Sequence, residues 1–353
     1  MRGLVLQGGG AKGAYQAGAI LAFEKKGIKF DGVVGTSIGA INAAFYASDN
    51  IKGMISLWKS TDSKNLFGIE SEIIDSLQEG KIEKEQIIKG LESIGNIIKN
   101  KGVDINNIKK LLKSNINIKK LIKSNVDFGL VTFNITNFKP IEKYKKDIPE
   151  DKIIEYIIAS AYLPGFKPER IIDNSYYFDG GIYANCPIDM LFKKDYDEIY
   201  AVKAWRGKLK YKPKKGVKVN VITPKDYLGS IIDFSPKNAM FKINLGYYDT
   251  LRLLDKLDGN KYYFKHYSNT YYSKLFNKNT YNKMTKKYGS LLFKKKEKDF
   301  IINIIEKVCI DLKIKRFKVY NLPYLLTKLK YLMVTKKDNE YYDFIKEIKV
   351  DFE

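Results

Sequence analysis

The amino-acid sequence reads as an α/β protein: a mainly parallel central sheet covered by helices, continued by a mainly helical, basic C-terminal extension. Three observations point there. Strand-turn-helix patterns occur twice near the N-terminus, strand-like runs recur as far as residue 222, and past Pro224 the chain turns to helical segments interleaved with Tyr and Lys. Two strand-turn-helix units in close succession suit a parallel sheet with covering helices.

Taken in order, Gly3-Leu4-Val5-Leu6-Gln7 is a short apolar run ended by glycines and predicts a buried strand. Ala, Leu and Ile fill residues 14–26, and Gly27 stands where a helix ends. Gly32-Val33-Val34-Gly35 predicts a second strand, and the Ala/Ile-rich stretch from Ile38 to Tyr46 a second helix. Residues 51–124, rich in Ile, Leu, Lys and Glu, read as a helical insertion or lid. Residues 126–134 alternate like a strand, 139–144 return beside it, and 153–161 have helical spacing stopped by Pro164-Gly165. Residues 176–178, 198–204 and 217–222 supply further strands. One domain therefore spans 1–225, a loose boundary lies near 225–240, and 240–353 form a basic, Tyr/Lys-rich helical region that includes the Lys-Tyr-Tyr-Phe-Lys-His-Tyr run at 261–267.

The length of 353 residues allows one or two domains. No stretch approaches the roughly 18 consecutive apolar residues of a membrane-spanning helix, and the run before Gly8 is too short for a signal peptide. With only two cysteines, Cys186 and Cys309, there is no disulfide framework and no metal-ligand spacing, so the chain reads as cytoplasmic, associating with membranes at most peripherally. The net charge of +23 is unevenly placed: residues 1–202 hold 28 Lys and Arg against 25 Asp and Glu, whereas 203–353 hold 35 against 15. Such a segment suits an anionic membrane surface or a nucleic acid, or is a solvated Lys-biased surface.

Acyl transfer needs a nucleophile held clear of its neighbours, a base, and backbone donors aimed at the developing oxyanion. Gly35-Thr36-Ser37-Ile38-Gly39 matches the nucleophile elbow G-x-S-x-G, with an apolar strand before Ser37 and an Ala/Ile-rich helix after it. Gly8-Gly9-Gly10-Ala11-Lys12-Gly13 lets backbone N–H groups converge on an anion without Cβ obstruction. It is not a P-loop, because Ala14-Tyr15 follow Gly13 where a Ser or Thr is needed after a Lys. Gly8, Gly10 and Gly13 do satisfy the dinucleotide fingerprint, yet the acidic residue wanted at the end of the second strand is absent; a Rossmann-type oxidoreductase stands as the competing reading. Asp179-Gly180-Gly181 places a carboxylate at a strand end beside two glycines.

These three motifs in this order resemble the patatin-like phospholipases over residues 1–225, with Ala159-Ser160-Ala161-Tyr162-Leu163-Pro164 and Asn185-Cys186-Pro187 similar to the family's flanking segments. The resemblance implies a three-layer sandwich, a dyad of Ser37 as nucleophile and Asp179 as general base, an oxyanion hole in Gly8 to Gly13, no cofactor, and phospholipid or other lipid acyl esters as substrate. The single histidine, His266, agrees with a two-residue mechanism: a Ser-His-Asp triad would have to use it, and it lies in the basic C-terminal part away from any strand end. Tyr and Lys together in that part suit peripheral contact with an anionic bilayer better than stacking on nucleic acid, given lipid chemistry in the first part. A basic binding protein without catalysis is the third reading; head group, acyl position and oligomeric state are left open.

Overall fold

The computed structural model describes residues 1–67, 102–163, 165–288, 297–334 and 341–350, so the middle of the expected 51–124 insertion, residues 68–101, and Pro164 lie outside the described residues. The chain divides into two compact units, Met1–Thr250 and Leu251–Glu353.

The first unit is built on a seven-stranded sheet. Its strands are β1 (Arg2–Leu6), β2 (Gly32–Thr36), β3 (Asp127–Asn134), β4 (Lys139–Tyr144), β5 (Tyr177–Asp179), β6 (Glu198–Val202) and β7 (Lys218–Ile222). The order is β4-β3-β2-β1-β6-β7, with β5 also paired to β3. β1, β2, β3, β6 and β7 are mutually parallel, whereas β4 and β5 run antiparallel to β3. β1 and β2 read as unbroken apolar runs because both of their faces are covered, as parallel strands require.

Register assigns each face. Val5, Val34, Val131, Ile199 and Ala201 share one side of the sheet and pack with Ile188, Met190 and Leu191. The opposite side is covered by α1 (Gly13–Lys25), α2 (Ile38–Ala47) and α5 (Ile153–Ser160); Phe23 packs edge-on to Tyr200, and the Thr132 hydroxyl donates to Ala159 O. Outside them lie α3 (Ile51–Ser60) and α4 (Asn106–Asn115). After β5 come the short α6 (Gly181–Ala184) and α7 (Ile188–Phe192). This is the expected α/β fold with its mostly parallel sheet and helices on both faces. α1 and α2 are apolar nearly all round because they are buried nearly all round, so burial rather than an amphipathic stripe holds them helical.

In the second unit, helices Asn269–Lys274, Lys278–Tyr288, Glu297–Asp311, Leu322–Met333 and Tyr342–Glu347 enclose a core that includes Phe264, Phe300, Ile305, Leu326 and Phe344. Here residues 261–267 depart from the helical expectation. Tyr263–Phe264 form a strand, β8, paired in parallel with Val319–Tyr320, β9. The Glu306 carboxylate takes the N–H groups of Asn260, Lys261 and Tyr262 at 2.6, 2.7 and 2.8 Å, and Phe264 exchanges backbone hydrogen bonds with Asp258. Donors satisfied by a carboxylate have no need of a helix.

Candidate active site

Ser37 stands between the end of β2 and the start of α2 with φ 58° and ψ −129°, a left-handed conformation that a serine adopts only when its surroundings enforce it. The enforcing contacts are specific. A Cβ on Gly35 would lie 2.3 Å from the Gly39 carbonyl carbon, and one on Gly39 would lie 2.2 Å from Leu6 O, so only glycines let α2 turn this tightly over β1 and β2. Thr36 Oγ1 donates to Ala184 O at 2.7 Å and fixes the turn from below. Ser160, fully buried at the end of α5, accepts the Ser37 N–H on its Oγ at 3.0 Å and donates its own O–H to Val131 O at 2.6 Å.

The same helix end positions Asp179. Its N–H donates to Tyr162 O at 2.8 Å, and the next N–H, of Gly180, donates to Ser160 O. Thr132 is its register partner, so Asp179 faces the α2 and α5 side, as the elbow does. Oδ1 accepts the Gly181 N–H at 2.7 Å, whereas Oδ2 is buried without a hydrogen-bond partner. Burial pushes this carboxyl above the usual carboxylate range; the nearby Ser37 hydroxyl and the Gly181 N–H pull it back in part. Ser37 is thus close enough to stabilise the carboxylate although no full hydrogen bond closes between them. A Cβ on Gly181 would sit 2.9 Å from Asp179 Oδ1, and one on Gly180 would lie 2.2 Å from Val131 O, which accounts for both glycines after the aspartate.

The glycine loop follows β1, beside the elbow, since β1 and β2 are adjacent and parallel. Within it the N–H groups divide into two sets. Those of Gly8, Ala11, Lys12 and Gly13 donate to Asn185 O, Ile231 O, Gly9 O and Gly10 O, whereas those of Gly9 and Gly10 meet no acceptor among the described residues. Gly10 has φ +54° and its absent Cβ would meet Ile231 O at 2.1 Å. Gly8 lies against the nucleophile: a Cβ there would come within 3.3 Å of Ser37 Cβ. Lys12 is buried, its ammonium 3.2 Å from the Trp205 ring centroid; burial, helped by Lys242, lowers its pKa to about 8.

From Ser37 an apolar cavity of about 890 Å³, counting its open mouth, runs between α2, α3, α4 and α5. Ile41, Phe45, Trp58, Ile108, Ile158 and Phe234 are among its walls. Asn42 also lines it but is spent: its amide donates to Gly13 O and Gln16 Oε1, and its oxygen accepts from Trp58 Nε1.

Trp205 carries no sequence signal of its own, and Asn185 is marked only by its place in a segment similar to the family's. Trp205 Nε1 donates to Gly8 O at 3.1 Å, and Asn185 takes the Gly8 N–H on its carbonyl while its amide reaches Gly8 O at 3.4 Å. His266 lies in the second unit, exposed, with Nδ1 3.2 Å from Asp258 Oδ1. Met1–Thr250, which holds Ser37 and Asp179, contains no histidine.

A serine elbow at a strand end, a buried aspartate, a glycine loop and an apolar cavity define an acyl-hydrolase type of site. The sequence profile of the patatin-like phospholipases matches residues 4–192, and the chain belongs to that family. It is 29% identical over 204 residues to Lysophospholipase NTE1 of Meyerozyma guilliermondii, which covers 57% of this chain and 12% of that one. It is likewise 29% identical over 194 residues to Probable lipid hydrolase 463L of Invertebrate iridescent virus 6, covering 54% of this chain and 63% of the viral one. The chain therefore spans a small part of the fungal relative and under two thirds of the viral one. Among solved structures, VipD from Legionella pneumophila aligns with a TM-score of 0.44 and 15% identity over 98% of this chain and 87% of that one. Family membership removes the competing dinucleotide reading, and no helix among the described residues is long and apolar enough to cross a membrane.

Proposed function

We propose that the chain is a serine lipid acyl hydrolase, of phospholipase A type, working through a Ser37–Asp179 dyad. The observation that carries this reading is the pairing of a serine forced into a left-handed turn with a buried carboxylate whose Oδ2 has no partner, at the foot of an apolar cavity. Asp179 Oδ2 takes the Ser37 proton as Oγ adds to the ester carbonyl carbon. A carboxylate made more basic by burial is better suited to that transfer. The tetrahedral oxyanion receives hydrogen bonds from the N–H groups of Gly9 and Gly10, the two in the expected Gly8 to Gly13 hole that are not already committed. Collapse of the intermediate breaks the bond to the leaving alkoxide, which takes the proton from Asp179. Water then loses a proton to Asp179 and attacks the acyl-enzyme; the proton returns to Ser37 as the fatty acid leaves.

The cavity accounts for a lipid substrate. Each methylene drawn from water into apolar walls contributes about 0.8 kcal/mol, so a long acyl chain is bound by the cavity rather than by polar contacts. Hydrolysis of phospholipid and lysophospholipid esters by wild type, Ser37→Ala, Asp179→Asn and His266→Ala tests the reading. Activity lost in the first two variants and kept in the third supports it; full activity in Ser37→Ala or Asp179→Asn, or loss only in His266→Ala, overturns it.

A further inference from the structure

We infer that the connection between β6 and β7 together with the first residue of β7, residues 203–218, is the surface through which this enzyme sits on an anionic lipid bilayer. The inference rests on the lipid-ester reading above. This stretch, Lys203-Ala204-Trp205-Arg206-Gly207-Lys208-Leu209-Lys210-Tyr211-Lys212-Pro213-Lys214-Lys215-Gly216-Val217-Lys218, contains eight Lys and Arg and no acid. The second unit is also basic, with ten Lys and no acid over residues 259–296, but there the cations are spread over more than twice the length and lie far along the chain from the glycine loop and the elbow.

The structure turns this composition into a surface. Leu209 and Tyr211 are half-buried and pack on the core that contains Val5 and Val34, whereas Lys208, Lys210 and Lys212 between and beside them are exposed. Burial alternates from Lys208 to Lys212, with the apolar side chains in and the lysines out. The ends are pinned, by Lys203 Nζ on Gly207 O and Lys214 Nζ on Phe192 O. Arg206, Lys208, Lys210 and Lys212 have no carboxylate partner among the described residues.

The segment starts at the reaction centre. Ala204 N donates to Gln7 Oε1 at 3.0 Å and Trp205 Nε1 to Gly8 O, so the cations emerge beside the glycine loop. Large apolar side chains stand on the same carboxyl edge of the sheet: Trp205 is 42% exposed, Tyr227 69%, Ile182 58% and Tyr183 53%. Ile182 and Tyr183 belong to α6, which is followed directly by Asn185, itself bonded to Gly8. Tyr and Trp among cations match the headgroup region of a bilayer, and exposed Ile182 matches its acyl boundary. Single-stranded nucleic acid fits less well, because one face of Trp205 is already covered by the Lys12 ammonium and an isoleucine offers a base nothing to stack on. Docked this way, the enzyme meets its ester at the lipid surface.

The test uses full-length protein. R206Q/K208Q/K210Q is compared with K278Q/K283Q/K286Q, which removes equal charge from exposed positions of the second unit, and with Ser37→Ala. Co-sedimentation is measured with vesicles of phosphatidylcholine alone and with added phosphatidylglycerol, and hydrolysis with p-nitrophenyl butyrate, a soluble ester. Each cation lost near the surface lowers partitioning about fivefold. The first triple variant is therefore expected to bind anionic vesicles on the order of a hundredfold more weakly, with soluble-ester hydrolysis unchanged; the second triple variant and Ser37→Ala bind nearly as wild type does. Equal losses in the two triple variants would move the contact to the C-terminal region and overturn the proposal, as would equal binding to both vesicle types or full displacement by single-stranded DNA. Vesicle binding by a wild-type protein that hydrolyses no ester would sink the catalytic reading and leave the surface standing.

Discussion

Ser160→Ala removes one oxygen and tests how the nucleophile is held. That oxygen accepts the Ser37 N–H at 3.0 Å and donates to Val131 O at 2.6 Å, in a position without solvent access. Its loss leaves a buried donor unsatisfied, which costs about 1–3 kcal/mol. The donor belongs to a residue at φ 58°, whose left-handed geometry is itself costly by roughly 1–3 kcal/mol and persists only while the surroundings over-determine it. Part of the lost energy is therefore recovered by letting the elbow relax, and relaxation moves Oγ away from Asp179. The expected outcome is a melting temperature lower by roughly 2–8 °C and a kcat lower on the order of a hundredfold, the cost of a displacement near 1 Å, with KM for a soluble ester little changed. Thermal melts and initial rates measure both. A Ser160→Ala enzyme that loses stability but keeps kcat within twofold of wild type would show that the hydroxyl serves packing alone and refute the positioning argument.

Other expectations follow from the same geometry. Because burial raises the Asp179 pKa, the folded state binds a proton more readily than the unfolded chain; this carboxyl therefore destabilises the fold increasingly as pH rises from the unfolded value of about 3.9 through the folded one. Asp179→Asn should accordingly be inactive yet melt higher than wild type at neutral pH, with the gain vanishing in acid; a lower melting temperature at neutral pH would count against the assignment. In the wild type, kcat/KM should fall on the acid side at a pH above that of an ordinary aspartate, since the base must be ionised. Gly10→Ala should cost both stability and activity, because its Cβ would meet Ile231 O at 2.1 Å, whereas Gly27→Ala, also at positive φ but with open space around it, should cost only the left-handed penalty of about 1–2 kcal/mol. Ile108→Trp should fill the cavity by about two methylenes, lowering kcat/KM for long-chain esters roughly tenfold and sparing short ones; equal losses for both would place the acyl chain elsewhere.

What the sequence made legible was local. The run Gly3 to Gln7, the glycine loop and the elbow are contiguous, and their small residues announce turns that other residues cannot make, so strand, turn and helix could be read in order. Asp179 was less legible: an aspartate before two glycines is an ordinary turn until Thr132, Val131 and Ser160 are folded around it. Ser160, Asn185 and Trp205 could not be assigned a role at all, because each acts on a residue more than a hundred positions away and looks locally like a helix-end serine, a turn asparagine and a surface tryptophan. The same reason explains residues 261–267, where Glu306, over forty positions on, withdraws the donors a helix would have used.

The central claim is that Ser37 is a nucleophile activated by Asp179, and a fluorophosphonate reports on it directly by forming a covalent bond to an activated serine oxygen. Peptide mass mapping after labelling is expected to find one adduct, on the peptide carrying Ser37, in wild type and in His266→Ala, none in Ser37→Ala, and much slower labelling in Asp179→Asn. An adduct on another serine, or labelling of Asp179→Asn at the wild-type rate, would contradict it.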